Sequence, residues 1–157
     1  MFYRIVFTFI FGFFLVTSGS ASMVSFFILE SGLPENAAVN QHSQQWENAL
    51  MDVFFDAGYI VSNAPISRIE SKPAGDILSA ACDLEDARNW GIDFILITLL
   101  DYNNELFIPD EISFLIFKVT TNERVFERQI KGRAYRSVRE EHDDIRAIIR
   151  GLVPYIK

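Results

Sequence analysis

Residues 92–100 form the most apolar run that follows the N-terminal segment, and they constrain the fold more than any other feature of the chain. The run is rich in β-branched side chains and is too short for a typical helix, so it predicts a strand. A nearly continuous apolar strand must be covered on both faces. The sequence therefore predicts a sheet whose centre is this strand and against which helices pack.

Three helices are predicted around that strand from apolar side chains that recur at helical spacing. The first stripe consists of Trp46, Ala49, Leu50, Val53, Phe54 and Ala57, and the last of Ile145, Ile148, Ile149, Leu152, Val153 and Ile156. Gly58 stands where the first helix would end. Ser137 and Glu140 form a capping box ahead of the last helix, and Pro154 is placed to kink or shorten it. A middle helix is predicted from about Ala74 to Trp90.

Further strands complete the predicted order β-α-β-α-β-β-β-α. They are 24–29, 59–62 and a long hairpin of 112–119 and 125–135 around a polar turn at 120–123, whereas the stretch between Pro65 and Pro73 is predicted to be irregular. The class is α/β (α+β), a two-layer sandwich in which three helices pack on a mixed sheet of about five strands. Residues 23–157 are predicted to form one domain.

The N-terminal segment, residues 1–22, has the pattern of a secretory signal peptide. Arg4 precedes the apolar core Ile5–Val16, and small residues follow at 17–22, as at a signal cleavage site. Cleavage after Ala21 or Ser22 fits this pattern. The prediction is a periplasmic or secreted protein with no stable membrane span after cleavage, and the alternative is an uncleaved anchor.

Charge is distributed unevenly along the chain. The formal net charge is −7, which argues against binding to nucleic acid or to anionic lipid. Ten of the Lys and Arg residues nevertheless lie from Lys118 onward. We predict that the basic hairpin strand and its surroundings bind a protein partner through Arg124, Arg128, Lys131, Arg133 and Arg136. The ordinary alternative is a charged edge strand that prevents aggregation.

Alternation along this strand gives each side chain a predicted face. Glu127, Gln129, Lys131 and Arg133 are predicted on one face, and Phe126, Arg128, Ile130, Gly132 and Ala134 on the other. A strip of this kind would suit an acidic partner or an extended peptide that adds to the edge.

A second candidate site is the acidic loop 101–111 after the central strand. Asp101, Asn103, Glu105 and Asp110 are its predicted ligand-binding residues, because α/β sites form at the carboxyl ends of strands. This alternative is a small-ligand or metal-binding enzyme.

Other polar groups have ordinary interpretations. The acidic run 140–144 is interpreted as a first helical turn that complements the helix dipole. Cys82, the one cysteine, is interpreted as a buried or incidental thiol rather than a nucleophile paired with His42 or His142. No catalytic residue, cofactor or metal is predicted.

Three segments of the sequence resemble the corresponding segments of proteins in one envelope superfamily. They are the helix end and strand start at 56–61, the strand start at 89–97, and the hairpin 112–125 with its polar turn. The superfamily includes the amino-terminal domain of TolB, the curli-export lipoprotein CsgG and the lipoprotein activators of peptidoglycan synthases. Asn122 stands where the family turn has Gly. The resemblance implies a non-catalytic binding or assembly protein with an envelope protein as partner. Self-association into a homo-oligomer is a second option.

Overall fold

The computed structural model describes residues 21–33, 40–70, 77–102 and 108–157. Its elements are β1 (Met23–Ser31), α1 (Gln41–Asp56), β2 (Ile60–Asn63), β3 (Ser67–Ile69), α2 (Ile77–Ala81), α3 (Leu84–Asn89), β4 (Phe94–Asp101), β5 (Glu111–Lys118), β6 (Glu123–Lys131), α4 (Val138–Arg150) and a 3-10 turn (Val153–Tyr155). Among these elements no helix is long and apolar enough to cross a membrane.

The strands form one mixed sheet in the order β2-β1-β4-β5-β6. β1 pairs in parallel with β4 on one side, and on the other side with β2 and then with β3. β4, β5 and β6 are antiparallel. Since β4 lies in the middle and is buried along all but its last residue, the prediction of a central strand is confirmed. Among the described strands, the two edges of the sheet are β6 and the pair β2 and β3.

Two apolar clusters lie on opposite faces of the sheet. The larger contains the stripes of α1 and α4 with alternate residues of β1, β4 and β5. The other contains the remaining residues of these strands and side chains of α2 and α3. The predicted α/β class and the two-layer packing of long helices (α1 and α4) on the sheet are confirmed. In addition, two short helices, α2 and α3, lie on the second face of the sheet.

The prediction of one helix from Ala74 to Trp90 is wrong in its middle, because Asp83 divides it. The Asp83 backbone is extended, and its carboxylate accepts hydrogen bonds from the N–H groups of Glu85 and Asp86, which begins α3 anew. Residues 71–76, which include the predicted helix start, lie outside the described residues. The predicted irregular stretch contains β3. The described residues therefore contain six strands and four helices rather than about five and three.

The last helix also ends earlier than its apolar stripe. α4 ends at Arg150, and Pro154 lies in the 3-10 turn that follows. Leu152 and Ile156 are nevertheless buried in the core. As predicted, Ser137 caps α4, since its side chain accepts the Glu140 N–H.

The hairpin β5–β6 is confirmed, but β6 ends at Lys131 and not at Tyr135. Asn122 adopts φ 56° in its turn, a positive-φ conformation that asparagine tolerates better than most residues. At the other end, the Gly132 N–H donates to the Asp110 carbonyl at 2.8 Å. The chain then leaves the sheet, and Tyr135 binds Asp144 of α4 at 2.8 Å.

Candidate functional site

The predicted partner-binding residues lie in two places, along β6 and in the segment that joins β6 to α4. Arg124, Arg128 and Lys131 are exposed on β6. Arg133 and Arg136 are exposed in the connection that precedes α4. The structure therefore brings three of the five onto one edge strand and places the other two beyond its end.

The register of β5 and β6 assigns the strand residues to faces. Arg128 lies opposite Phe114, which belongs to the cluster that α1 and α4 cover. Arg124 lies opposite Phe117, which belongs to the other cluster. Lys131 lies opposite Glu111, on the same face as Phe117. The predicted alternation is confirmed up to Lys131 and fails for Arg133, because β6 has ended.

A β-bulge changes the start of β6. Ile116 pairs with Phe126 and Phe117 with Arg124, which leaves Val125 as the extra residue. Arg124 then forms an ion pair with Glu127 three residues on, at 2.9 Å. The sequence gives no sign of this bulge, since alternation alone places Arg124 on the same face as Arg128.

Several of the basic groups have acidic neighbours. Arg124 pairs with Glu127, and the Arg133 guanidinium lies 2.9 Å from a carboxylate oxygen of Asp144. The Arg133 guanidinium also lies 4.9 Å from the centre of the Tyr135 ring. No ion pair of Arg128 occurs among the described residues. Arg128 is thus the arginine of β6 whose charge is most available to a partner.

Tyr135 anchors the connection to α4. Burial, and then its hydrogen bond to the Asp144 carboxylate, raise the pKa of Tyr135 to about 12. The phenol therefore stays protonated at neutral pH and donates to Asp144. This bond and the Arg133 pair hold the segment after β6 against the first half of α4.

Apolar groups accompany the charges along β6. The rings of Phe126 and Tyr155 stack with centroids 4.1 Å apart, and Tyr155 is half exposed. Val125 in the bulge is also exposed. Such a mixture of guanidinium and aromatic groups is typical of protein interfaces.

The alternative acidic site is only partly described. The Asp101 carboxylate ends β4 and accepts a hydrogen bond from the Ser31 hydroxyl at 2.8 Å. Asp110 is exposed, and its N–H donates to the Asp101 carbonyl at 2.7 Å. Asn103 and Glu105 lie outside the described residues. Within the described ranges, no group of three or more His, Cys, Asp or Glu side chains is placed to hold a metal ion.

A mainly buried polar cluster was not predicted, and its residues come from β1, α1, β3, α4 and the position just after β4. Its pairs are Glu30 with Arg68 at 3.0 Å, the Ser43 and Tyr102 hydroxyls at 2.7 Å, and the His42 ring with the Glu141 carboxylate. His42 thus contacts an acid of α4 rather than Cys82. Polar residues that end an apolar strand, such as Glu30 after 24–29, are the signal that could have indicated it.

This cluster is internally satisfied. Burial raises the pKa of the Tyr102 phenol above its usual value, the Ser43 hydrogen bond lowers it by less, and the Glu30 and Glu141 charges raise it further. The Glu30 carboxylate also accepts the Asn40 N–H at 3.1 Å. Because each buried group of the cluster has a partner, which is partly exposed in the case of His42 and Arg68, the cluster is suited to joining the helices to the sheet.

Comparison with known proteins gives a family and a fold. A family model described as "Uncharacterised protein" matches residues 34–134. No curated protein sequence matches the chain. Among solved structures, TolB from Acinetobacter baumannii is 11% identical with a TM-score of 0.51, over 87% of this chain and 28% of TolB.

Two further structures are similar over most of their own length. The PelC dodecamer from Paraburkholderia phytofirmans is 16% identical with a TM-score of 0.49, over 87% of this chain and 88% of PelC. The LpoB C-terminal domain from Escherichia coli is 13% identical with a TM-score of 0.46, over 73% of this chain and 84% of that domain. The match to TolB confirms that the chain has a TolB-like fold, as the resemblance implied.

Proposed function

The chain belongs to this family of uncharacterised proteins, and we propose that it is a non-catalytic binding or assembly domain of the cell envelope that acts on a protein partner. The TolB-like fold and the sequence resemblance to envelope proteins support this location. One fold serves many functions, so the proposal rests mainly on the surface of β6.

The observation that supports partner binding most strongly is the exposed edge of β6. This strand is nine residues long, and among the described strands it pairs with β5 alone. Its outer edge offers backbone N–H and C=O groups to an added strand. Arg128 on one face, and Arg124 and Lys131 on the other, would flank that strand and favour acidic side chains in it.

Capture of the partner tests this proposal. The domain would be crosslinked mildly in its native envelope and recovered by affinity, and the co-purified proteins identified by mass spectrometry. Arg128→Glu should reduce recovery of the main partner at least tenfold, because a reversed charge in an interface repels the acidic group that it faced.

Arg150→Glu is the matched control. Both residues are exposed arginines, and both substitutions change the net charge equally. Arg150 lies in the last turn of α4, and it lines a depression with Asp56 and Ala57 at the end of α1. Equal recovery with Arg128→Glu and with the unaltered chain would refute the proposed binding edge.

The proposal includes secretion through the N-terminal signal, residues 1–22, of which residues 1–20 lie outside the described part of the chain. The Ser22 carbonyl accepts the Ile60 N–H at 3.0 Å and so extends the pairing of β1 with β2. Cleavage after Ala21 would retain this bond, whereas cleavage after Ser22 would remove it. We expect cleavage after Ala21, the first of the two predicted positions, so that the removed signal ends at Ala21 and Ser22 is the mature N-terminus. An intact mass equal to that of all 157 residues would favour the uncleaved anchor.

A further inference from the structure

A groove of about 580 Å³ lies at the side of the sheet opposite β6, between β1, β2 and α3. Met23 and Phe27 of β1 and Ala87 of α3 contribute apolar surface to it. Ser62 and Asn63 of β2 form another part of its lining. A concave, mainly apolar site of this volume is large enough to enclose several side chains of a ligand. We call it the α3 groove.

The rim of the α3 groove is acidic. Asp83 and Asp86 line it, and the described lining residues include no Lys or Arg. One oxygen of Asp83 is occupied by the N–H groups that it caps. Asp86 is exposed at this rim, so its carboxylate is the one most available to a bound cation.

An exposed indole lines the same groove as that carboxylate. Trp90 lines the groove and is 72% exposed, although it is one of the largest apolar side chains of the protein. Trp90 follows the last residue of α3, and its N–H donates to the Asp86 carbonyl at 3.0 Å, which places it one helical turn after Asp86. A carboxylate next to an aromatic face attracts ammonium and guanidinium groups through an ion pair and a cation–π contact.

The third feature is a sheet edge. β2 pairs with β1, and no strand lies beyond it among the described elements. Because Ser62 and Asn63 of this edge strand also line the groove, a chain in the groove would run beside backbone groups that can pair with it. An extended peptide satisfies such groups, whereas a compact small molecule does not.

We propose that the α3 groove binds an extended peptide segment of a partner protein, with an apolar side chain against Phe27 and a Lys or Arg between Asp86 and Trp90. The charge selects the occupant: a basic segment is attracted to this rim and an anionic lipid is repelled. This site is distinct from the β6 edge and has the opposite charge preference.

Tryptophan fluorescence provides a direct test on the whole domain. The chain has two tryptophans, of which Trp46 is 2% exposed and Trp90 72% exposed, so acrylamide quenching reports mainly on Trp90. The probe is the blocked pentapeptide Val-Arg-Val-Lys-Val, compared with Val-Glu-Val-Glu-Val. The basic peptide should shift the emission and protect Trp90 from quenching, and the acidic peptide should do neither.

Two variants separate the groove from general electrostatic attraction. Asp86→Asn should weaken binding of the basic peptide at least tenfold, whereas Glu85→Gln, which alters an exposed neighbour that does not line the groove, should change it less than twofold. Calorimetry gives the affinities without relying on the fluorescence. Arg128→Glu should leave binding of the basic peptide unchanged. The proposal for the groove and the proposal for the β6 edge can therefore be refuted independently.

Three results would overturn the proposal. One is equal binding of the basic and acidic peptides, and another is an affinity that Asp86→Asn does not alter. The third is self-association of the domain that Asp86→Asn abolishes, since the groove would then be occupied by a second copy of the chain. Sedimentation velocity of the unaltered domain and of Asp86→Asn, at the protein concentrations of the binding experiments, detects such self-association.

Discussion

The two edges of the sheet differ in length, charge and origin. β6 is nine residues long, antiparallel and basic, and nearly all of its surface comes from one hairpin. β2 is four residues long and parallel, and the acidic groove beside it combines residues of β1, β2 and α3. The faces of most residues in one hairpin can be predicted from a sequence, whereas a surface assembled from distant segments requires the structure.

The largest expected difference between the edges is the loss of stability when a glycine next to each edge is replaced by alanine. A Cβ at Gly132, just after β6, would lie 1.5 Å from the Pro109 carbonyl oxygen, a distance that no rotation of a side chain can relieve. We expect Gly132→Ala to lower the free energy of unfolding by about 3 kcal/mol. Urea unfolding monitored by circular dichroism measures the change.

Gly91 beside the groove is the control for this prediction. It has φ +73°, but a Cβ added there would meet no atom within 4 Å, so Gly91→Ala incurs backbone strain alone, about 1–2 kcal/mol. An equal loss from the two substitutions would show that the backbone around Gly132 can move away from Pro109.

The next largest difference between the edges is the stability that an apolar side chain of each edge strand contributes. Phe126 on β6 packs on the main core and stacks on Tyr155, whereas Ile60 on β2 is 53% exposed. Phe126→Ala should cost about 2 kcal/mol, less than a fully buried Phe, and Ile60→Ala under about 1 kcal/mol. Thermal unfolding of the two variants, in parallel, checks the order. The reverse order would mean that β6 is held mainly by its backbone pairing.

These contrasts also explain which parts of the molecule are predictable. Periodicity locates β4, the stripe of α1 and the face of Lys131, because each depends only on neighbours along the chain. The bulge at Val125 depends on the register with β5, and the pair of His42 with Glu141 joins residues 99 positions apart. No local pattern contains that information.

The division of the middle helix is visible in the sequence in principle. Asp83, followed by Glu85 and Asp86, is a recognisable helix start, yet the apolar spacing from Ile77 to Ala87 continues across it. The apolar periodicity predicts one helix, whereas the cap at Asp83 predicts two. In the structure α3 begins after Asp83, as the cap predicts. The α3 groove follows from this break, because Asp83 and Cys82 at the junction line it.

Alkaline pH should affect the β6 side through Tyr135. Its pKa is raised from 10.0 to about 12 in the folded protein, so the stability that it contributes is complete below pH 10 and is lost as pH rises to 12. Tyr135→Phe should therefore make the loss of stability between pH 10 and 12 shallower. Urea unfolding at pH 9, 10 and 11 measures the slope, and an unchanged slope would assign the alkaline loss to other groups such as Tyr102.

The smallest expected effect concerns the charges of β6 themselves. The Arg124–Glu127 pair is about half exposed at both residues, and exposed pairs contribute at most about 1 kcal/mol. Arg124→Gln should lower the thermal midpoint by only a few degrees. A large loss would mean that the basic residues stabilise the fold, and charge variants could then not be interpreted as binding variants.

The most direct test of the β6 edge is amide hydrogen exchange on the domain with and without its captured partner. We predict slower exchange in residues 123–131 of β6 in the complex, with exchange in residues 60–65 unchanged if the partner lacks a basic segment for the α3 groove. A complex in which the β6 amides exchange as fast as in the free domain would contradict the account.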